Sequence, residues 1–190
     1  RVIERGDADA CLSGGAESKV NLMALLRQHF AGRTPRCDST MEPASLVRPF
    51  AADAVGCPPG EGGGLLILEA EEALERRGGR AIASLEGFGA SQSLCMDDAG
   101  IQPDAEGVSD AIAAALDDAN ADIDSIDAIV PFGSGVPVID SAERQAIATV
   151  FGPRAKSIPI VTVTPSIGHC GAGAGAIAAC VAVECLRRQA

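Results

Sequence analysis

Short apolar stretches with the length of buried strands alternate along this chain with stretches of helical periodicity. The strand-like stretches are residues 9–13, 64–68, 80–88, 126–130 and 158–163, and the helix-like stretches are 19–30, 69–77, a helix from Asp104, a helix from Asp140 to Phe151, and 171–188. Asp140 and Glu143 have the spacing of a capping box, which predicts that Glu143 reaches back to the backbone N–H of Asp140 at the start of its helix. Strands that alternate with helices predict an α/β fold built in layers. Residues 32–60 are rich in proline and glycine and predict a long irregular loop, a kind of segment that is commonly functional.

Aromatic side chains are scarce, because the 190 residues include five Phe and no Trp or Tyr. Alanine, valine, isoleucine, leucine and 22 glycines must therefore fill the core, which predicts closely packed backbones. The hydrophobic fraction of 47% is near the globular average and is enough for a sizeable core.

Charge and cysteine content exclude several classes of protein. The net charge of −11 would repel nucleic acid and an anionic membrane surface, so neither is predicted as a partner. The seven cysteines are odd in number and contain no Cys-x-x-Cys pair, which is typical of small buried thiols in a reducing compartment. The small or apolar run 171–183 has only 13 residues, too few for a membrane span, and no secretory signal opens the sequence. Together these features predict a cytoplasmic protein.

Two motifs are similar to ligand sites but lack essential features. Residues 118–124 alternate like a calcium loop, yet Ile123 stands where glycine is needed and Ile129 where glutamate is needed. Residues 171–176 fit a Gly-x-Gly-x-x-Ala dinucleotide motif, yet they do not follow a strand directly. We interpret the first as a solvated acidic turn and the second as a helix that packs its backbone tightly against a neighbour, and we predict no metal and no cofactor.

The two histidines have different surroundings in the sequence. His29 is near the end of the first predicted helix, where an imidazole favours the helix dipole, so we expect a capping or surface role. His169 lies between a strand end and a glycine-rich helix start, where hydrogen-bond donors converge and the backbone can approach a ligand closely. Its position alone leaves a functional and a structural role equally open.

Four stretches occur together in one order along the chain. They are residues 6–17 (GDADACLSGGAE); 48–50 (RPF) with 60–69 (GEGGGLLILE); Pro137, Asp140, Ala142 and Glu143 after 133–135 (GSG) and before 150–152 (VFG); and Gly168-His169 with the Gly/Ala-rich helix behind them. In combination they resemble the β-ketoacyl synthase family, the condensing enzymes of fatty-acid and polyketide synthesis, which have a thiolase-like fold.

The resemblance implies a thiolase-like, layered α-β-α architecture that is incomplete in this chain. Residues 1–190 would form a single partial domain, with the end of the N-terminal half at about 1–50 and most of the C-terminal half at about 60–190. The chain would be the middle and C-terminal part of a larger protein, with a nucleophilic Cys before Arg1. The implied partners are acyl carrier protein or coenzyme A thioesters and a second ketosynthase, in a homodimer or a heterodimer.

The family's chemistry is a decarboxylating condensation, and three of its positions can be carried onto this sequence. A Cys takes the acyl group, two histidines help the malonyl thioester to lose carbon dioxide, and a lysine supports them electrostatically. His169 stands at the position of the second histidine. Phe132 replaces the first histidine and cannot donate a hydrogen bond, and Thr164 replaces the lysine. Ala51 also replaces the acid that is usual after Arg-Pro-Phe.

These departures favour a degenerate partner, similar to the chain-length factors that pair with an active synthase and shape its acyl tunnel. An alternative is an active β-ketoacyl-acyl carrier protein synthase or acyltransferase that uses a Cys upstream of Arg1 with His169. A third hypothesis is an α/β interaction module without acyl chemistry, in which the small-residue helix serves only packing.

Overall fold

The computed structural model describes residues 1–42, 45–93 and 105–189. Within them lie two strands and six α-helices: β1 Ala10–Ser18, α1 Leu22–Phe30, β2 Glu61–Glu69, α2 Glu71–Arg76, α3 Glu106–Asp118, α4 Pro137–Phe151, α5 Thr164–Ile167 and α6 Gly173–Arg188. Short 3-10 turns cover Ile123–Ser125 and Gly152–Lys156. Every predicted helix is present within a few residues of its expected limits, although Asp104, the predicted start of α3, lies outside the described residues.

The two strands form an antiparallel pair in which Ala10 faces Glu69 and Ser18 faces Glu61. The prediction that the first strand would end at Gly14-Gly15 was wrong, because β1 continues through both glycines. A side chain is excluded there by close packing rather than by a turn. A Cβ on Gly15 would lie 2.6 Å from the carbonyl oxygen of Ala172, just before α6.

Helix α6 covers one face of the strand pair, and its backbone packs directly against the backbone of the strands. A Cβ on Gly64 would lie 2.7 Å from the Ala176 carbonyl oxygen, and a Cβ on Gly173 would lie 2.2 Å from the Gly62 carbonyl oxygen. These contacts confirm the prediction of closely packed backbones. They also support our interpretation of residues 171–176 as a packing segment.

The other three predicted strands do not form ladders in the described residues. Residues 80–93 have no strand pairing, so the strand predicted at 80–88 was wrong. The segment instead lies along α3, where a Cβ on Gly89 would be 1.9 Å from the Ala111 carbonyl oxygen. Segments 126–130 and 158–163 meet in a single parallel bridge between Ile129 and Ile160. They run side by side without the further pairs that would make them strands.

The hydrophobic core lies where α4 packs on α3 and on the turn after α4. Small side chains fill the first part, with Ala142 and Ala146 of α4 buried against Ala105. Ile147 and Phe151 pack with Ile158 in the second part. In the described part of the chain, no helix is both long enough and apolar enough to cross a membrane.

Candidate functional site

Two carboxylates at the start of α4 fix the loop of residues 132–136, which we call the site loop. The buried Asp140 accepts hydrogen bonds from the backbone N–H and the hydroxyl of Ser134, both at 2.8 Å, and from the Gly135 N–H at 3.1 Å. It also accepts from the Phe50 N–H at 2.8 Å, which joins the Arg-Pro-Phe segment to the same carboxylate. The site loop therefore has its conformation set by groups of the folded core.

Glu143 holds the first half of the site loop. Its two carboxylate oxygens accept from the N–H groups of Phe132 at 2.7 Å and Gly133 at 2.9 Å. Burial raises the pKa of this carboxyl most strongly, and the charge of Asp140 adds to the rise, while the two backbone hydrogen bonds oppose it. A protonated Glu143 would lose an acceptor for one of these N–H groups, so the ionised form suits the loop best.

The predicted capping box at Asp140 and Glu143 was wrong. Helix α4 begins three residues earlier, at Pro137, and the Asp140 N–H donates to the Val136 carbonyl within the helix. Proline suits a first helical position because its φ is already helical and its missing N–H would have no partner there. Both carboxylates consequently bind the preceding loop instead of capping their own helix.

Backbone hydrogen bonds place His169 against the irregular segment before β2. Its N–H donates to the Pro58 carbonyl at 2.9 Å, and its carbonyl accepts from the Gly60 N–H at 3.0 Å. Pro59 and His169 form a parallel bridge. A Cβ on Gly60 would lie 2.0 Å from the Ile167 carbonyl oxygen, so this close approach requires glycine.

The imidazole of His169 faces the ring of Phe132. The two rings meet edge to face, with centroids 5.4 Å apart and an interplanar angle of 71°. Nδ1 of His169 is buried and has no hydrogen-bond partner among the described residues. A proton there would be an unpaired buried donor, so the neutral imidazole favours its proton on Nε2.

Burial is the largest cause that lowers the pKa of His169. The charges of Lys19 and Arg33 lower it further, and the charge of Glu17 raises it. An imidazole with a lowered pKa is neutral at physiological pH, where Nε2–H can donate a hydrogen bond to a developing oxyanion.

Thr164 lies beneath the site loop, and its hydroxyl forms a hydrogen bond with that loop and not with the imidazole of His169. It is the first residue of α5 and is buried, and its hydroxyl donates to the Gly133 carbonyl. Phe132 and Thr164 both line a cavity of about 490 Å³, which the small residues Ala174, Gly175 and Ala178 of α6 also line. The walls are mostly apolar, as a site for a hydrocarbon chain requires.

The structure thus brings two of the three predicted positions into contact and joins the third to them through the site loop. His29 lies exposed near the end of α1 with its ring against Phe30, in agreement with the surface role expected for it. No cluster of metal-ligating side chains occurs in residues 1–42, 45–93 and 105–189. Sequence reasoning missed Glu17 and Lys19, although Lys19 is one of only two lysines in the chain.

Two buried cysteines flank the His169 backbone. The Cys57 thiol lies 3.4 Å from the Pro58 carbonyl, and the Cys170 thiol lies 3.5 Å from the Ile167 carbonyl. Burial raises the pKa of Cys57 from 9.0 to about 12, and the neighbouring Cys170 and Asp140 contribute to the rise. Burial also raises the pKa of Cys170. Both thiols are poor nucleophiles in this state. The prediction that most cysteines are buried was wrong for the described residues, because Cys37 is exposed and Cys11, Cys180 and Cys185 are only partly buried.

We expect the protein to lose stability as the pH rises from about 9 to about 12. Over this range the Cys57 thiol ionises in the unfolded chain while the folded protein keeps it protonated, so ionisation stabilises the unfolded state relative to the folded state. Urea unfolding under reducing conditions, on both sides of pH 9, would show the loss. The 190 residues include no Tyr to obscure it.

Cys57→Ala is expected to weaken this alkaline dependence, whereas Cys37→Ala, at an exposed position, should keep the parental profile. An unchanged alkaline loss in Cys57→Ala would contradict the assignment to this thiol.

Comparison with known proteins identifies the family. Residues 82–190 match the family model described as "Beta-ketoacyl synthase, C-terminal domain". The chain belongs to the β-ketoacyl synthase family, and its α/β fold is thiolase-like, as the resemblance predicted.

Curated relatives extend the similarity over almost the whole chain. A 3-oxoacyl-[acyl-carrier-protein] synthase 2 of Staphylococcus aureus is 32% identical over 179 residues, which are 94% of this chain and 43% of that protein. A putative polyketide β-ketoacyl synthase 2 of Streptomyces cyaneus is 32% identical over 186 residues, covering 97% of this chain and 43% of that protein. The chain therefore spans less than half the length of these relatives.

Solved structures of ketosynthases have a similar fold. The ishigamide ketosynthase/chain length factor superposes with a TM-score of 0.81 at 32% identity, covering 98% of this chain and 43% of that chain. A chain from a type II polyketide synthase complex, an acyl-carrier protein with its ketosynthase bound to the hexaketide, superposes with a TM-score of 0.90 at 28% identity. That match covers 99% of this chain and 46% of the other.

Proposed function

We propose that this chain belongs to a cytoplasmic protein of fatty-acid or polyketide synthesis that acts as a chain-length-factor-like partner with impaired condensing chemistry. Residues 1–190 would form one partial domain of it. The main observation behind this proposal is the edge-to-face contact of Phe132 with His169. It places a ring that has no hydrogen-bond donor beside the imidazole of the site. Similarity to the ishigamide ketosynthase/chain length factor supports the proposal.

Phe132 in place of a histidine removes a hydrogen-bond donor that the decarboxylation step would use. Decarboxylation of a malonyl thioester places negative charge on the thioester carbonyl oxygen, and of the two rings in contact here, Phe132 and His169, only His169 could donate to it. The loss of one such donor typically lowers the rate by about 10²- to 10³-fold. An apolar chain could still occupy the cavity of about 490 Å³ that Phe132 lines. Binding of acyl groups without efficient condensation is the expected property of such a partner.

Covalent capture tests the proposal. The full-length protein would be incubated with an acyl-thioester of acyl carrier protein and with acyl-coenzyme A, and then examined by intact-protein mass spectrometry and by thermal unfolding. We expect a rise in unfolding temperature, since a ligand that binds only the native state stabilises it, and no covalent acyl adduct. An adduct would overturn the partner proposal. No thermal shift and no adduct would favour an interaction module without acyl chemistry.

The retained His169 favours a second candidate, an active synthase or acyltransferase with a Cys before Arg1. Its buried, unpaired Nδ1 favours the tautomer with the proton on Nε2, and that N–H can then donate to a thioester. Peptide sequencing of the native protein upstream of Arg1 tests this candidate. A Cys there that carries the acyl adduct would establish it, and a residue incapable of nucleophilic attack would exclude it.

Restoring the missing imidazole should raise decarboxylation. We expect Phe132→His, alone or with Thr164→Lys, to release carbon dioxide from a malonyl thioester about 10²-fold faster than the parent, because a second donor reaches the oxyanion. Phe132 is 38% exposed and its ring already contacts His169, so histidine fits without burial of a new charge. Phe132→Leu is the matched control and should leave the rate unchanged. A well-folded Phe132→His protein without any gain would contradict the correspondence of position 132 with the first histidine.

A further inference from the structure

A salt-bridged pair at the end of β1 lies against the start of α6. Glu17 is on the side of the strand pair that faces α6, and its Oε2 accepts a hydrogen bond from the Ala172 N–H at 2.5 Å. Its other oxygen lies 3.6 Å from Nζ of Lys19. The hydrogen bond from Ala172 is the main cause that lowers the pKa of Glu17, and the Lys19 charge adds to it, so the carboxylate is ionised and holds the ammonium.

The same pair is joined to His169 by the backbone. The Lys19 N–H donates to the Gly60 carbonyl at 3.0 Å, and the Gly60 N–H donates to the His169 carbonyl at 3.0 Å. On the other side, a Cβ on Gly171 would lie 2.1 Å from Oε2 of Glu17 and 2.3 Å from Cε of Lys19. Both side chains therefore lie directly against the chain that follows His169, and Gly171 leaves the space for them.

Positive charge is rare in this chain, which has 15 basic and 26 acidic residues. The charges of two basic residues, Lys19 and Arg33, nevertheless lower the pKa of His169, while the charge of Glu17 raises it. The Lys19 side chain is only 24% exposed, so solvent screens its charge less than at an open surface.

We propose that Lys19, held by Glu17 at the start of α6, supplies positive charge to the His169 site and is a positioning residue that acts through the imidazole. The proposal rests on the proposed function of His169 as a donor to a thioester carbonyl. Charge that develops on that oxygen would be stabilised by Nε2–H directly and by the Lys19 ammonium through its positive charge. Thr164 is buried beneath the site loop and carries no charge, so it cannot supply this positive charge.

Proton NMR titration of the histidine ring in the full-length protein tests the proposal, with His29→Gln and His169→Gln used to assign the two resonances. Lys19→Met should raise the pKa of His169, because a nearby positive charge is removed, and Glu17→Gln should lower it, because a negative charge is removed. Lys19→Arg keeps the charge and should stay near the parent. Lys156→Met, which changes the other lysine of the chain, is the matched control and should have no effect.

Opposite shifts in Lys19→Met and Glu17→Gln, larger than any variation of the exposed His29, would support the proposal, since loss of packing would not reverse sign between them. A His169 pKa that stays unchanged or falls in a folded Lys19→Met protein would overturn it. The acyl-thioester thermal shift, measured on the same samples, reports separately on the proposed function. If no thermal shift occurs, the proposal that the site binds an acyl group is contradicted, but the result of the titration for Lys19 and His169 is unaffected.

Discussion

Gly173→Ala is expected to destabilise the protein by about 2 kcal/mol or more, because an added methyl group has no room between α6 and the strand pair. Its Cβ would lie 2.2 Å from the Gly62 carbonyl oxygen, and the obstacle is backbone on both sides rather than a movable side chain. Relief would require α6 to move away from β2 and to give up its close packing. Urea unfolding followed by circular dichroism would measure the loss.

Gly175→Ala provides the matched comparison in the same helix. No atom lies within 4 Å of a Cβ built on Gly175. Alanine there should stabilise the protein by about 0.5–1 kcal/mol, because glycine in a helix loses more backbone entropy on folding. Changes of the same sign in the two variants would contradict the close backbone contact at Gly173.

Asp140→Ala is expected to lower the free energy of unfolding by about 3–5 kcal/mol, because it leaves several hydrogen-bond donors unsatisfied and each buried one typically costs about 1–3 kcal/mol. The substitution leaves the N–H groups of Phe50, Ser134 and Gly135 without their shared acceptor inside the protein. Chemical denaturation would measure the change. The exposed Asp127 provides the control, and Asp127→Ala should change stability by less than about 0.5 kcal/mol.

The Asp140 network predicts a local effect as well as a global one. Because Asp140 holds the site loop, its removal should increase amide hydrogen exchange at 132–136 more than in α6. A uniform increase across both segments, or a loss of stability equal to that of Asp127→Ala, would show that the carboxylate does not fix the loop.

Helices were predictable from this sequence and several strands were not. A helix makes its hydrogen bonds within its own segment, so the periodicity of α3 or α6 is sufficient to indicate it. A strand exists only beside a partner. Residues 80–88 have the composition of a strand, but their described neighbour is helix α3, and no ladder forms. The extension of β1 through Gly14-Gly15 was missed because glycine pairs usually indicate turns. Here Gly14 packs closely against Gly64 of β2, and Gly15 packs against Ala172 just before α6.

The candidate site was predictable in part. Resemblance to the family singled out Phe132, Thr164 and His169, and the structure places the first and last in contact. The roles of Asp140 and Glu143 were misassigned, because a capping box has the same spacing as two carboxylates that bind the preceding loop. Proximity of Lys19 to His169 depends on pairing between residues far apart in sequence, which no local pattern reports.

Two backbone hydrogen bonds join His169 to residues 58–60 and fix the surface that a ligand would contact. Pro58 and Pro59 have φ angles fixed by their rings, and hydrogen bonds from His169 to Pro58 and from Gly60 to His169 close the segment on both sides. The segment 58–60 therefore loses its conformational freedom when the protein folds and not when a ligand binds. A ligand that contacts the imidazole meets a preorganised surface, and a larger part of its contact energy is expressed as affinity.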